Sequence, residues 1–252
     1  MSSLLERVRE LDPLWFARER LGFQPDDAQA RILRADARRV LLCCSRQWGK
    51  STSAAILAAQ RAYCVPQSLI VCVSPTLRQC GELVRRVREF LTLLGEKGRG
   101  DGTNSLSLLL KNGSRVVGVP ARPATVRGYA GVDLLIVDEA AQVPDDVYRT
   151  VRPMLAVSGG RLMLMSTPFG QRGFFWKEWS EGGEAWMRVE VKATECARIP
   201  AAFLEEERGV MGEEWFAQEY LCSFVGMENG VFRREWIDAA ERLVLGHRRL
   251  LQ

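Results

Sequence analysis

The sequence has almost no histidine and no long apolar run, and both shortages narrow what the protein can do. Its single histidine, His247, lies near the C-terminus, so histidine metal sites and serine–histidine catalysis are close to excluded. No apolar run reaches the roughly 18 residues that a transmembrane helix needs, so we expect no membrane partner. The seven cysteines form no CxxC pair. Cys43, Cys44 and Cys72 fall in predicted buried strands, which indicates a reducing cytosol and not a disulfide framework.

Lysine is scarce as well. Of the 35 basic residues only five are lysines and thirty are arginines, within a net charge of +4. Arginine suits two-point contacts to phosphate groups, so nucleic acid is a fair partner. A codon bias in a GC-rich genome explains the arginines equally well. Composition alone therefore does not decide the function.

Short, almost wholly apolar segments alternate with helical ones along most of the chain. Strands are predicted at 39–44, 68–73, 133–139, 161–166 and 186–191, with a hairpin over 105–119 that turns at Asn112-Gly113. Helices are predicted at 50–62 and 77–94, and helical sequence at 200–220. Strands that are buried on both faces belong in a parallel sheet covered by helices. The pattern predicts a doubly wound α/β domain.

A phosphate-binding loop is indicated at residues 45–51, Ser-Arg-Gln-Trp-Gly-Lys-Ser. It lies between a predicted strand and a predicted helix, as such a loop must. Lys50 would contact the β- and γ-phosphates of ATP, and the Ser51 hydroxyl would help to hold Mg²⁺. However, Cys44 stands where the pattern GxxxxGK[ST] has its first glycine. Taken alone, the loop is equally consistent with a chance Gly-Lys-Ser.

A second apolar strand ends in two acids, and this pair supports the loop. The segment Leu-Leu-Ile-Val at 134–137 is followed by Asp138 and Glu139. Asp138 is placed to hold Mg²⁺ through water, and Glu139 can orient and deprotonate an attacking water molecule. The alternative, that these acids merely end a strand and face solvent, is disfavoured by the phosphate loop upstream. Together the two motifs predict an ATPase.

These motifs resemble those of one family, the ATPase domain of the large terminase subunit, which is the DNA-packaging motor of tailed bacteriophages. Six or more motifs match in order over nearly the whole chain, at 22–29, 45–51, 73–79, 126–144, 162–170, 216–226 and 229–236. The resemblance implies a P-loop NTPase fold of the additional-strand, catalytic-glutamate class. Its mostly parallel sheet would be flanked by helices. It also implies an ATPase core over 1–195, followed by a helical lid and the start of a linker over 196–252.

The resemblance assigns roles to single residues. The nucleotide-binding loop would comprise Ser45, Arg46, Gln47, Trp48, Gly49, Lys50, Ser51 and Thr52. Gln29, and less strongly Gln24, would read the adenine edge. Ser166 and Thr167 would sense the γ-phosphate and couple hydrolysis to movement. Trp48 is not explained by the family pattern, and we expect it to pack either over the nucleotide or against the lid.

Hydrolysis also needs a positive charge beside the γ-phosphate, and two arginines compete for this role. Such an arginine finger contributes roughly 10³–10⁵ in rate. The resemblance favours Arg127, which has Gly128 and Gly131 beside it and would reach into a neighbouring subunit of a ring, as in the family's pentamer. The alternative is a surface arginine paired with an acid. Arg46, within the loop, could act in cis, brace the loop or contact the triphosphate.

DNA contacts are the least explicit part of the sequence. A motor that grips DNA of any sequence should contact phosphates and not base edges. The candidates are the basic residues of a glycine-rich loop and of the hairpin: Lys97, Arg99, Lys111 and Arg115. Solvated surface charges explain them equally well.

The resemblance further implies ATP and Mg²⁺ as cofactors and double-stranded DNA, a portal protein and a small terminase subunit as partners. It implies a homo-oligomeric ring, and the host cytoplasm as the location. Full-length terminases continue into a nuclease whose two-metal chemistry needs a cluster of acids. After Asp146 the only aspartate is Asp238, so we expect no nuclease activity from this chain.

Two other functions stay open at this point. A superfamily-2 helicase fragment shares several of the motifs, but those enzymes build the ATP site between two RecA-like domains. Too little sequence follows Phe169 for a second domain. A nucleotide-binding scaffold without hydrolysis is disfavoured because Lys50, Ser51, Asp138 and Glu139 are all present.

Overall fold

A computed structural model describes residues 9–226. The strands in this range are β1 (Arg39–Cys44), β2 (Leu69–Ser74), β3 (Ser107–Leu109), β4 (Arg115–Pro120), β5 (Leu134–Asp138), β6 (Arg161–Ser166) and β7 (Met187–Val191). They form one sheet in the order β3-β4-β2-β5-β6-β1-β7. The pairing of β3 with β4 is antiparallel, and the other neighbours are parallel.

The helices in the same range are α1 (Asp27–Arg34), α2 (Lys50–Cys64), α3 (Leu77–Leu93), α4 (Asp145–Val151), α5 (Gly173–Glu181), α6 (Ala201–Met211) and α7 (Glu213–Leu221). A short helical segment, Pro13–Trp15, continues as a π-helical turn, Phe16–Arg20. Among the helices of residues 9–226, none is both long enough and apolar enough to cross a bilayer.

Side-chain caps set where α1 and α3 begin. Asp26 accepts a hydrogen bond from the N–H of Gln29 at 2.9 Å, and the Gln29 side chain accepts from the N–H of Asp26 at 3.1 Å. Thr76 and Gln79 make the same reciprocal pair at the start of α3. Each pair satisfies two N–H groups that a helix start otherwise leaves free. These caps set the first turns of α1 and α3, and α3 begins directly after the carboxyl end of β2.

Alternate strand residues supply two hydrophobic layers. In β1, Val40 and Leu42 join a buried cluster with residues of α1, α2 and α3. Leu41 and Cys43 join a second cluster with residues of α4 and α5. Both faces of the sheet are therefore covered by helices, and the predicted doubly wound α/β fold is confirmed.

The position of β6 identifies the class of the fold. Its two neighbours are β5, which carries Asp138, and β1, which precedes the phosphate loop. An additional strand between these two is the arrangement that the family resemblance implied. The predicted hairpin is also present as β3 and β4, although β4 pairs on its other side with β2 in parallel.

The last two helices form a small layer beside the phosphate loop. Leu204 of α6 packs with Phe216 and Tyr220 of α7 and with Ala193, in a cluster separate from the two sheet layers. These helices lie in the segment that is expected to form the lid, and that assignment stays a prediction. The domain division at 195 and 196 stays a prediction, and the expected approach to a linker at 229–236 lies outside the described residues.

Candidate functional site

Three neighbouring parallel strands end at one edge of the sheet with polar residues. The phosphate loop follows β1, Asp138 ends β5 and Ser166 ends β6. Ligands of open α/β sheets bind at the carboxyl ends of the strands. The phosphate loop, Asp138 and Ser166 therefore meet at the edge where such a ligand binds.

The loop between β1 and α2 leaves a run of backbone N–H groups free. The N–H of Ser45 donates to the Val191 carbonyl at 2.9 Å, and that of Arg46 donates to the Glu219 carbonyl at 3.2 Å. Within residues 9–226, the N–H groups of residues 47–51 have no acceptor. Left-handed backbone at Gln47 (φ 63°) and Gly49 (φ 110°) curls the loop. Such a concave run of N–H groups at a helix N-terminus binds phosphate.

Cys44 is the last residue of β1 and explains the missing first glycine. It is fully buried and pairs in register with Val191 of β7. Burial raises the pKa of its thiol well above the ordinary value, and the thiol therefore stays protonated. The strand extends to the point where the usual pattern already turns, and the turn is made by Gln47 and Gly49 instead.

Trp48 corrects one expectation. Its side chain is 1% exposed and belongs to the cluster on the α2 face of the sheet, so it cannot stack on a nucleotide. Its carbonyl accepts a hydrogen bond from Arg198, which also pairs with Asp26 at 3.2 Å. Trp48 therefore anchors the loop to the core, and only its backbone faces the site.

Lys50, Glu139 and Ser166 make direct contacts. Lys50 Nζ lies 3.2 Å from Glu139 Oε1, and both side chains are largely buried. The Ser166 hydroxyl donates to Glu139 Oε2 at 3.4 Å. Glu139 has a left-handed backbone (φ 48°), and its N–H donates to Asp138 Oδ1 at 3.0 Å. The buried Thr167 follows Ser166 at the same edge.

The charges of this cluster favour an added cation. Burial alone would lower the Lys50 pKa, but Glu139 and Asp138 raise it above its ordinary value, so Lys50 stays charged. Burial, helped by the adjacent Glu139, raises the pKa of Asp138 to about 6. A divalent cation would offset this unfavourable carboxylate charge, and the Ser51 hydroxyl lines the same cleft. These oxygen donors fit Mg²⁺.

Gln29 and Gln24, the two residues expected to recognise adenine, lie in different environments. Gln29 is buried, and its side-chain oxygen is used in the α1 cap. Its side-chain nitrogen, Nε2, packs against Gly49 of the phosphate loop. The approach is so close that a Cβ atom at position 49 would lie only 2.9 Å from Nε2. Gln24 is exposed on the segment that precedes α1. The structure therefore brings Gln29, and not Gln24, into contact with the phosphate loop.

The two candidate arginine fingers lie apart. Arg46 Nε donates to Glu219 Oε2 of α7 at 2.5 Å, and this contact raises the Arg46 pKa. Arg127 is exposed on the segment between β4 and β5 and does not line the cleft. No carboxylate within residues 9–226 forms an ion pair with it, so the alternative of a paired surface arginine finds no partner there.

The candidate DNA-binding residues lie at the opposite edge of the sheet, where β2 and β4 begin. Arg115 is paired with Asp101 at 2.6 Å. The hairpin turn is tied to the end of α2, because Asn112 Nδ2 donates to the Ala62 carbonyl at 2.9 Å. Lys111 is exposed at this anchored turn, and its contact with DNA stays a prediction. Lys97, Arg99 and Lys111 are exposed.

Sequence reasoning missed one wall of the site. A cleft of about 190 Å³ beside Ser51, Asp138 and Glu139 is closed by residues of α3: Arg78, Gln79, Glu82, Leu83 and Arg86. The spacing of 78, 82 and 86 on a predicted helix was a usable signal, because residues four apart share one helix face.

Comparison with known proteins identifies the family. Residues 41–239 match the family model described as "Terminase large subunit, T4likevirus-type, N-terminal". The chain belongs to the terminase large-subunit family. It is 28% identical over 264 residues to the large terminase subunit of Thermus virus P23-45, covering 90% of this chain and 54% of the relative. It is 26% identical to that of Escherichia phage T5, covering 84% and 50%. The chain spans about half the length of these curated relatives.

Solved terminase structures share the fold. The large terminase ATPase domain of Thermus phage P74-26 superposes with a TM-score of 0.74 at 26% identity, covering 82% of this chain and 97% of that domain. The HK97 large terminase gives a TM-score of 0.69 at 15% identity, covering 85% and 55%. A D6E large terminase in complex with ADP gives 0.64 at 13%, covering 86% and 53%. The fold is that of the terminase P-loop ATPases, as the motifs predicted.

Proposed function

We propose that this terminase domain hydrolyses ATP and that hydrolysis drives the translocation of double-stranded DNA during phage genome packaging. One observation carries the proposal. A run of free N–H groups at residues 47–51 lies at the same sheet edge as Lys50 and as a carboxylate pair one residue apart. Phosphate, Mg²⁺ and an activated water molecule are the ligands that such an arrangement binds. The ATPase domain of Thermus phage P74-26, at 26% identity, supports the same function.

Each residue of the site has a separate role in the proposed hydrolysis. The free N–H groups bind the phosphates, and Lys50 neutralises the charge at the terminal phosphate. Ser51 and Asp138 would hold Mg²⁺, which supplies further charge neutralisation on the phosphate oxygens. Glu139 accepts the proton of the attacking water, and the Ser166 hydroxyl orients that carboxylate.

The ion pair between Lys50 and Glu139 suggests how ATP switches the base on. Lys50 Nζ is 3.2 Å from Glu139 Oε1. A bound triphosphate gives Lys50 a more highly charged partner, and the Glu139 carboxylate is then released toward water. The base is therefore held by Lys50 until a triphosphate occupies the loop.

The assembly of the motor extends the proposal. Arg127 would complete the site of a neighbouring subunit in a ring, and its exposed position, away from the cleft of its own chain, suits that role. Portal protein, small terminase subunit and DNA would be the partners, in the host cytoplasm. The residues that touch DNA are proposed to be Lys97, Arg99 and Lys111.

Two assays on the purified chain test the proposal and separate it from the alternatives. Phosphate release from ATP and strand displacement on a tailed duplex are measured together. We expect phosphate release without displacement. Displacement would indicate a helicase, and neither activity, with ATP still bound, would indicate a scaffold.

A further inference from the structure

The long helix α3 presents a polar stripe to the candidate site. Arg78, Glu82 and Arg86 are each four residues apart, so they share one helix face. All three line the cleft that also contains the Ser51 hydroxyl and the two carboxylates of the site. The stripe therefore forms a wall opposite the end of β5.

Arg86 contacts the phosphate-loop helix directly. Its NH1 donates a hydrogen bond to Thr52 Oγ1 at 2.7 Å. The N–H of Thr52 in turn donates to the Gly49 carbonyl at 3.0 Å. Arg86 thus braces the first turn of α2, in which Ser51 is the neighbour of Thr52.

The stripe carries a net positive charge toward the cleft. Glu82 is paired with Arg85 at 2.7 Å, and the two arginines Arg78 and Arg86 outnumber this one carboxylate on the stripe. Within residues 9–226 neither of them lies within ion-pair distance of a carboxylate. Two cations at the mouth of a phosphate site match an anionic ligand.

We propose that Arg86 is a positioning residue for ATP hydrolysis, which orients the phosphate-loop helix through Thr52 and, with Arg78, makes α3 a positively charged wall for the γ-phosphate. This inference rests on the proposed ATPase function. It adds a cation supplied in cis, separate from Arg46 and Arg127.

The test compares Arg86→Gln with Arg88→Gln, an exposed arginine on the same helix that does not line the cleft. We expect Arg86→Gln to slow single-turnover hydrolysis about 10²-fold, the scale of a small misplacement in an active site. Its affinity for ATPγS should fall more than its affinity for ADP, because only the triphosphate reaches the wall. Arg86→Lys should recover part of the rate, and Arg88→Gln should match the wild type.

A double-mutant cycle with Thr52→Ala tests whether Arg86 acts through its hydrogen bond to Thr52. If Arg86 acts through Thr52, the two effects on the rate are not additive. Additive effects, or a rate for Arg86→Gln equal to that of Arg88→Gln once corrected for the folded fraction, would overturn the inference. A wild-type chain that fails to hydrolyse ATP would instead contradict the proposed function on which it rests.

Discussion

Glu139 is held in place by contacts on both of its carboxylate oxygens. Lys50 lies 3.2 Å from one and the Ser166 hydroxyl 3.4 Å from the other. Its left-handed backbone, at φ 48°, costs on the order of 1–3 kcal/mol for a residue with a side chain. Strain of this kind persists where surrounding contacts determine the conformation. At this position the strained backbone belongs to a carboxylate residue that directly follows a buried strand.

The proposed contact between neighbouring subunits depends on one residue, Arg127. We expect Arg127→Ala to lower the turnover of the assembled ring by about 10³ or more while nucleotide affinity stays unchanged, because the finger acts only during catalysis. Arg122→Ala, at a neighbouring exposed arginine of the same segment, is the control.

Mixing Arg127→Ala with Glu139→Gln subunits should restore part of the activity, at interfaces that join an intact glutamate to an intact arginine. Phosphate release by the mixed assembly is the measurement. Assembled mixtures without activity would rule out the role in trans.

The positions of single site residues were predictable where the residue ends or follows a buried strand or begins the helix after the phosphate loop, and their chemical roles stay predictions. Lys50, Asp138 and Glu139 are of this kind, and the structure brings them together. Trp48 was not, because its direction depends on the core beneath the loop. Gln29 was predicted to face a ligand, but its side chain also caps α1.

At the scale of elements, the loop before β3 is organised by one carboxylate. Asp101 is 4% exposed at its side chain and pairs with Arg115 at 2.6 Å. It also accepts hydrogen bonds from the N–H groups of Thr103 and Asn104 and from the Ser107 hydroxyl, at 2.8–2.9 Å. Burial alone would raise the Asp101 pKa, but these donors hold it well below the ordinary range. The glycine-rich segment is therefore tied to the hairpin.

The Asp101 contacts predict a pH-dependent stability. Because the folded pKa of Asp101 is depressed, its stabilisation is present above the unfolded pKa of about 4 and is lost as the pH falls below it. We expect Asp101→Asn to lower the free energy of unfolding by about 1–3 kcal/mol at neutral pH. The difference from wild type should shrink between about pH 4 and pH 2 in urea titrations. Asp36→Asn, at an exposed position, is the control; if both variants behave alike, Asp101 has no organising role.

Secondary-structure elements with a clear local sequence pattern were predicted. Elements that depend on tertiary packing were not. The apolar runs of β1, β2, β5 and β6 are buried on both faces and are recognisable from sequence alone. The short helices α4 and α5 were missed. They pack with strand residues in the second hydrophobic cluster and with each other through the stacked Tyr148 and Phe174 rings, whose centroids are 4.0 Å apart. Sequence periodicity over seven to nine residues is too short to reveal such packing.

At the scale of the whole molecule, the nucleotide site and the proposed DNA grip occupy opposite edges of the sheet. We expect simultaneous replacement of Lys97, Arg99 and Lys111 by alanine to weaken binding of unrelated DNA sequences to a similar extent. The slope of log affinity against log salt should flatten by roughly 0.9 for each phosphate that the variant no longer neutralises. ATP hydrolysis without DNA should be unchanged, since none of these residues lines the cleft.

The matched control for the DNA grip replaces three other exposed basic residues, Arg88, Arg149 and Lys177, with alanine. Equal reductions of DNA affinity in the two triple variants would indicate a general effect of charge. The DNA-binding residues would then lie elsewhere.

The structure of one chain gives little information about the proposed ring of subunits. An interface between subunits leaves no trace in the core of a single subunit, so only the family resemblance predicted a role for Arg127 beyond its own chain. Arg127 does not line the cleft that Ser51, Asp138 and Glu139 line, so the packing of one chain gave no reason to assign it to the site.

The proposed ATPase activity rests on Glu139, which we expect to activate water but not to be needed for ATP binding. Single-turnover hydrolysis and nucleotide affinity of Glu139→Gln test this role most directly, with Glu190→Gln, at an exposed position of β7, as the control. We predict that Glu139→Gln binds ATP and Mg²⁺ like the wild type while hydrolysis falls by about 10² or more. Hydrolysis near the wild-type rate with ATP still bound would contradict the assignment of Glu139 as the base.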